Sequence, residues 1–167
     1  MRIAAESAAT LALGAALIAA AAAVAQGPAE PAPRDTAWHN AQQAALAARA
    51  NQPGWQPLGE GLLWRRVAGD GSGTRPAVSD TVTVHYTGSF VDGEVFDSSE
   101  GGEPATFPLG RLIPAWQKAI PQMGVGDTIE MAAPATLAYG PKGKGPIPGG
   151  ATLLFTVKLL RIENAGS

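Results

Sequence analysis

Residues 84–99 read VHYTGSFVDGEVFDSS, and this stretch decides how the chain is expected to fold. Val84 and Tyr86 alternate with polar residues, which is the period of a β-strand with one buried face. The pair Asp92-Gly93 is typical of a two-residue hairpin turn, and a second apolar run follows it. The same stretch holds a histidine, two aspartates and three serines, so it must be asked which of them take part in chemistry.

The rest of the chain from Leu58 onward is also mainly of strand character. LLWRRV, TIEM and ATLLFTVKLLRIE predict three further strands, and the last of these places apolar side chains on one face: Leu153, Phe155, Val157 and Leu159. One helix is predicted over IPAWQKAI, where Pro114 occupies a first-turn position that tolerates proline. The fold class expected is therefore α+β, a curved antiparallel sheet wrapped around one short helix, with an apolar pocket between them.

Composition excludes several classes of function. The chain has 167 residues, which suits one domain, and a formal net charge of −2 with scattered basic residues, so nucleic acid is not an expected partner. It has no cysteine, so disulfides, thiolate nucleophiles and cysteine-based metal sites are ruled out. The two histidines, His39 and His85, lack the serine and carboxylate arrangement of a hydrolase. No metal and no cofactor is expected.

The N-terminal 25 residues have the layout of a secretory signal peptide. Arg2 precedes a long Ala/Leu/Ile run, and small residues at Ala23 and Ala25 precede Gln26. We expect cleavage after Ala25 and export to the periplasm or cell envelope, without stable membrane insertion after cleavage. An uncleaved anchor is the alternative, although an alanine-rich run is a weak membrane span.

Residues 26–57 are expected to hold a linker and a short helix. Residues 26–37 are rich in Pro and Gly, whereas WHNAQQAALAARANQPG is rich in helix formers and stops at Pro53-Gly54. An isolated helix of this length is marginal in water, so it must pack on the domain or pair with another chain. Packing is the favoured interpretation, and the oligomeric state stays open. The predicted divisions are a signal peptide (1–25), a linker with a short helix (26–57), a sheet-rich domain (58–163) and a tail (164–167).

Several motifs together resemble the FKBP family of peptidyl-prolyl cis-trans isomerases. They are VHYTGSFVDGEVFDSS, FPLGRLIPAWQKAIPQMGVGD, LAYG and IPGGATLLFTVKLL, in the family's order and with nearly its spacing, over roughly residues 58–162. The resemblance implies a half-open antiparallel sheet of five or six strands wrapped on a short helix. It also implies rotation of X-Pro peptide bonds in proline-containing polypeptide clients, and rapamycin-type macrolides as candidate inhibitors.

The resemblance also assigns a pocket, motif by motif. The substrate-binding residues it implies are Tyr86, Phe96, Asp97, Phe107, Leu112, Ile113, Trp116, Tyr139, Ile147 and Phe155. Those expected to contribute directly to catalysis are Tyr86, Asp97, Trp116, Tyr139 and Phe155. Ala105 and Leu137 stand where relatives carry larger aromatic residues, so a more open rim is expected.

The chemistry expected of such a pocket needs no nucleophile, because rotation about an amide breaks no bond. An apolar aromatic cavity favours the twisted amide, whose charge separation is reduced. His85 is expected on the strand face opposite Tyr86 and therefore outside the pocket. The run GPKGKGPIPGG is expected to be a flap over the pocket and not a phosphate loop, because Pro146 and Pro148 block a following helix. A proline-peptide binding module or chaperone with little turnover is the alternative function.

Overall fold

The computed structural model describes residues 35–163. The predicted signal peptide, the first part of the linker and the tail therefore lie outside the described residues. Two helices and nine strands follow one another in chain order: α1 (Thr36–Ala50), β1 (Gln56–Pro57), β2 (Leu63–Ala68), β3 (Thr81–Ser89), β4 (Val95–Ser98), β5 (Ala105–Pro108), α2 (Pro114–Ala119), β6 (Thr128–Ala133), β7 (Gly143–Lys144), β8 (Ile147–Pro148) and β9 (Leu153–Glu163). Neither described helix is long and apolar enough to cross a membrane.

The main sheet is antiparallel throughout, as predicted. Its strand order is β1-β2-β6-β9-β3-β4, and β5 also pairs with β3. It contains seven strands, more than the five or six expected. The larger number of strands has two causes. The two-residue strand β1 is added at one edge of the sheet, and two short strands, β4 and β5, pair with different parts of the outer side of β3. β4 pairs with residues 87–89 of β3, and β5 pairs with residues 81–84.

The core lies between the concave face of this sheet and α2. Alternate residues of β9 point into it, and Leu153, Val157 and Leu159 are fully buried. From α2, Trp116 and Ala119 pack against them, and Pro114 stands at the helix start as predicted. Burial of a large apolar side chain contributes about 1.5–3 kcal/mol, so this interface accounts for much of the stabilisation of the fold. The sheet and helix thereby hold the pocket side chains on fixed elements.

The hairpin between β3 and β4 differs from the predicted two-residue turn. The amide of Phe90 donates to the carbonyl of Glu94 at 2.8 Å, and the amide of Gly93 donates to the carbonyl of Phe90 at 3.0 Å. The loop is therefore three residues long, a type I turn followed by a residue in the left-handed region, which is Gly93 with φ +94°. A two-residue turn would have required a positive φ at Asp92 as well, and Asp92 does not adopt one.

Helix α1 packs on the domain that contains the sheet, which is the favoured one of the two interpretations of this segment. Asp35 caps its start by accepting from the amide of Trp38 at 2.9 Å. Gln42 is buried against Thr152, whose amide donates to Gln42 Oε1 at 3.0 Å. The sheet itself begins at Gln56, two residues before the predicted domain boundary at Leu58.

Candidate active site: an aromatic cavity

A cavity of about 270 Å³ opens between the β3–β5 side of the sheet, α2 and the β7–β8 hairpin. Six aromatic rings and five other side chains form its wall: Tyr86, Phe96, Phe107, Trp116, Tyr139 and Phe155, with Asp97, Arg111, Leu112, Ile113 and Lys144. A site of this kind, mostly apolar with a few convergent polar groups, is the usual form of a small-ligand pocket. It is the candidate active site.

Trp116 forms the floor of the cavity and is only 4% exposed. Three rings meet its indole edge-on. The ring centroids of Tyr86, Phe155 and Phe107 lie 5.4, 5.5 and 6.2 Å from it, at interplanar angles of 81°, 87° and 85°. Perpendicular contacts at these distances are the favoured geometry for aromatic pairs. The floor is therefore rigidly held, and it presents apolar surface to whatever enters.

The backbone of β3 makes room for the opposite wall. A Cβ at Gly88 would lie 2.6 Å from Cζ of Phe96, closer than real Cβ contacts allow, and a tight 3.0 Å from Cε1 of Phe155. The two rings meet at right angles, with their centroids 5.9 Å apart. Gly88, within the YTGS part of the opening stretch, is thus the residue that lets both rings reach the cavity.

Besides the side chains of Arg111 and Lys144, two tyrosine hydroxyls and one carboxylate contribute polar groups to the wall. Tyr86 donates a hydrogen bond to Asp97 Oδ2 at 2.6 Å. Burial, together with this hydrogen bond, raises the pKa of Tyr86 well above its ordinary value. Burial and the negative charge of Asp97 likewise raise the pKa of Tyr139. Both hydroxyls therefore keep their protons near neutral pH and can act as hydrogen-bond donors.

His85 lies away from the cavity, as strand alternation predicted. Its Nδ1 is 3.2 Å from Oγ of Ser99, and that hydroxyl also accepts from the amide of Tyr86 at 2.9 Å. Ser98 Oγ lies 3.0 Å from Oγ1 of Thr87. The histidine and the two serines of the opening stretch thus tie the hairpin together.

The structure brings nine of the ten predicted pocket residues to the cavity wall. Ile147 is the exception. It is 8% exposed and belongs to the hydrophobic core, because its side chain turns inward from β8. Its partner across the two-stranded β7–β8 hairpin, Lys144, reaches the cavity instead, with Nζ 5.9 Å from the Tyr139 ring centroid.

Two cavity residues, Arg111 and Lys144, were missed by the sequence reasoning. Their positions gave a signal, since Arg111 directly precedes the pocket pair Leu112-Ile113 and Lys144 stands in the predicted flap. The expected rim residues Ala105 and Leu137 do not line the cavity in the described part of the chain. Leu137 is 4% exposed and packs in the core, so a smaller residue there does not open the rim.

Comparison with known proteins decides the family. The sequence profile of FKBP-type peptidyl-prolyl cis-trans isomerases matches residues 73–160, which contain the whole cavity wall. The chain belongs to this family. As an FKBP-type chain it is 44% identical over 122 residues to the outer membrane protein MIP of Legionella longbeachae, covering 72% of this chain and 52% of that protein.

Two further relatives agree. The chain is 46% identical over 119 residues to the FKBP-type peptidyl-prolyl cis-trans isomerase FkpA of Aeromonas hydrophila, covering 71% of this chain and 44% of that protein. Its fold is similar to the crystal structure of a peptidyl-prolyl cis-trans isomerase from Pseudomonas syringae pv. tomato, with a TM-score of 0.72 and 29% identity, covering 81% of this chain and 100% of that one. The FKBP-type chain spans about half the length of the two curated relatives.

Proposed function

We propose that the chain is a peptidyl-prolyl cis-trans isomerase that rotates X-Pro peptide bonds. The observation that carries the proposal is the cavity itself: six aromatic rings surround it, and its carboxylate already accepts a hydrogen bond from Tyr86. Family membership supports the same activity. A catalyst of this reaction needs shape and low polarity more than it needs a reactive group.

The physical requirement follows from the amide bond. Resonance keeps the amide planar with a barrier of about 18–20 kcal/mol, and uncatalysed X-Pro rotation takes tens to hundreds of seconds. The planar amide has a larger dipole than the twisted one, so transfer from water to an aromatic cavity disfavours the ground state more than the transition state. Preferential stabilisation of the twisted amide lowers the barrier without proton transfer or covalent chemistry.

Eight of the eleven wall residues have a proposed role in that process. Trp116 supports the proline ring from below, and Tyr86, Phe96, Phe107 and Phe155 enclose it. The Tyr139 hydroxyl, which makes no hydrogen bond within residues 35–163, donates to a carbonyl of the bound peptide. The amide of Ile113 does the same from the start of α2. Asp97 fixes the orientation of the Tyr86 hydroxyl and holds its charge away from the reacting bond.

We further propose that the substrates are exported proteins that contain proline, and that residues 58–163 form the isomerase domain behind a signal peptide cleaved after Ala25. The layout of residues 1–25 supports export to the cell envelope. One relative carries the name outer membrane protein. Rapamycin-type macrolides are proposed as competitive ligands of the same cavity.

Magnetisation-exchange NMR on a short X-Pro peptide tests the isomerase proposal directly, with residues 26–167 as the catalyst. We expect cis–trans exchange to become measurable on the second timescale and to stop when a rapamycin-type macrolide is added. The variant Trp116→Phe tests the role of the cavity floor in this assay. Its matched control is Trp64→Phe, since Trp64 lies on β2 outside the cavity wall. Peptide binding without any increase in the exchange rate would contradict the proposal and favour a binding module.

A further inference from the structure

Helix α1 makes buried polar contact with the end of the segment that closes the cavity. Gln42 is 4% exposed and Thr152 is 1% exposed. The amide of Thr152 donates to Gln42 Oε1 at 3.0 Å, and the Thr152 hydroxyl donates to the Gln42 carbonyl at 3.4 Å. These two hydrogen bonds join residues 110 positions apart in the sequence. Gln42 is the one buried residue of the described helix α1, and it therefore has a specific partner.

The same helix touches Gly150, the last residue of the flap, which is here defined as residues 140–150. Gly150 has φ +84°, and a Cβ built on it would lie 3.0 Å from Cε1 of His39 and 3.5 Å from Cζ3 of Trp38. Glycine is required there both by the backbone conformation and by the approach of α1. The first turn of α1 therefore packs against the C-terminal end of the flap.

The two ends of the flap are joined to each other. The amide of Gly150 donates to the carbonyl of Gly140 at 2.9 Å. Gly140 directly follows Tyr139, and the carbonyl of Tyr139 accepts from the amide of Gly143 at 3.1 Å. A short series of contacts therefore runs from α1 through Gly150 and Gly140 to Tyr139 in the cavity wall.

The remaining cavity residues do not depend on this series. Tyr86 and Phe155 stand on the two central strands β3 and β9, and Trp116 stands on α2 inside the core. Tyr139 and Lys144 are the two wall residues carried by the flap or its root. A loss of contact between α1 and the flap should therefore affect these two residues and leave the aromatic floor in place.

We propose that Gln42 is a positioning residue of the active site: its hydrogen bonds to Thr152 hold α1, with His39 and Trp38, against Gly150, and this keeps Tyr139 and Lys144 over the cavity. The proposal rests on the proposed isomerase function. When the flap is released, only a fraction of molecules holds Tyr139 in place at any moment. The apparent affinity for peptide falls by that fraction, so KM rises, whereas kcat of the correctly closed complex changes little.

Two adjacent glutamines of α1 provide a matched test. Gln42→Met removes the buried acceptor at similar length and helix propensity, and Gln43→Met makes the same change at an exposed position. We expect Gln42→Met to raise KM about five- to tenfold, the factor that corresponds to one lost hydrogen bond, with kcat within about twofold. We expect Gln43→Met to leave both unchanged.

Amide hydrogen exchange gives a readout that does not require activity. In Gln42→Met, exchange at Gly143 and Lys144 should accelerate about five- to tenfold, whereas exchange at Val157 in β9 should not change. Failure of the wild-type chain to isomerise peptides would overturn the proposed function, and the exchange comparison would still report on the flap. Unchanged flap exchange in Gln42→Met, or equal acceleration in flap and β9, would overturn the positioning role.

A second pair of variants covers the case in which Gln42→Met does not fold. Thr152→Val removes the hydroxyl that donates to Gln42, and Thr152→Ser keeps it. Thr152→Val should raise KM and flap exchange about two- to fivefold, and Thr152→Ser should restore both to within about twofold of wild type. Equal behaviour of the two Thr152 variants would contradict the proposal.

Discussion

The hydroxyl of Tyr86 and Oδ2 of Asp97 lie 2.6 Å apart at the wall of the aromatic cavity, with the tyrosine as donor. The two residues stand on β3 and β4, the neighbouring strands of the hairpin in the opening stretch. Asp97 is exposed to solvent at the rim of the cavity, so this bond fixes the relative orientation of the two side chains and does not compensate a buried charge. One oxygen of the carboxylate therefore orients the neighbouring tyrosine hydroxyl.

The first prediction concerns the polar residues of the cavity. Asp97→Ala and Tyr139→Phe should each lower kcat/KM roughly 5- to 150-fold, because each removes one orienting hydrogen bond. This factor corresponds to a loss of about 1–3 kcal/mol of transition-state stabilisation. Steady-state kinetics with one X-Pro peptide measures this, and circular dichroism checks the fold. Complete loss of activity in a fully folded Asp97→Ala variant would instead indicate acid-base chemistry by the carboxylate.

The second prediction concerns the cavity floor. Trp116→Ala should lower the free energy of unfolding by about 3–5 kcal/mol, because it removes a buried ring that three other rings contact. Trp116→Phe should cost much less, because it keeps an aromatic ring in the same place. Urea denaturation followed by circular dichroism gives both values. A loss of less than about 1.5 kcal/mol in Trp116→Ala would show that the indole is not integral to the core.

The third prediction concerns the charge of the substrate. Arg111 and Lys144 line the cavity and take part in no ion pair among residues 35–163, and Asp97 is the one carboxylate of that wall. Peptides with Glu beside proline should therefore have kcat/KM about two- to fivefold higher than the same peptides with Gln, and the difference should shrink at 1 M salt.

The variant Lys144→Gln should remove much of that preference, because it removes one of the two cations. Lys158→Gln is the matched control, since Lys158 is exposed on β9 and does not line the cavity. An equal Glu/Gln ratio in wild type, or an equal effect of the two lysine variants, would contradict the charge argument.

The fourth prediction concerns stability in acid. Asp127 is buried, and its carboxylate accepts from the amides of Gly124 and Gly71 at 2.9 and 3.2 Å and from Arg66 Nε at 3.0 Å. Burial alone would raise the pKa of Asp127, but these donors and the charge of Arg66 outweigh it, so that the pKa is lowered. A lowered pKa contributes stability that is present above about pH 4 and is lost as the pH falls through the folded-state value.

Asp127→Asn should therefore cost about 2–3 kcal/mol of unfolding free energy at pH 7, and its stability should change less than that of wild type between pH 4 and pH 2. Urea titrations at several pH values measure both quantities. Wild-type and variant curves that stay parallel from pH 7 to pH 2 would show that Asp127 does not contribute to acid sensitivity.

Residue periodicity was sufficient to predict the sheet and the helix, whereas most of the cavity wall was implied only by the resemblance to the FKBP family. The alternation of buried and exposed residues in β9 and the proline at the start of α2 are local sequence signals, and both features are found in the structure. The prediction of a two-residue hairpin turn was wrong. An Asp-Gly pair occurs in hairpin loops of two and of three residues, and the choice between them depends on strand register.

Positions set by long-range contacts could not be predicted. Ile147 and Lys144 face each other on a two-stranded hairpin, and only the packing of that hairpin decides which one turns inward. Thr152 is a polar residue next to the apolar face of the last strand, and its burial depends on α1, which covers it. In both cases the deciding neighbour lies outside the local sequence pattern.

The most direct test of the account is the pH dependence of kcat/KM for a neutral X-Pro peptide. The proposed mechanism moves no proton in the slow step, and the hydroxyls of Tyr86 and Tyr139 have raised pKa values, so they remain donors above neutrality. We therefore predict a nearly flat profile from about pH 6 to pH 8.5. An unperturbed histidine, with a pKa of about 6.5, would titrate in this range, whereas an unperturbed tyrosine, with a pKa of about 10, would not. His85→Gln should keep that profile and most of the activity, since His85 binds Ser99 outside the cavity wall. A bell-shaped profile that disappears in His85→Gln would contradict the account, because it would make the histidine a participant in the reaction.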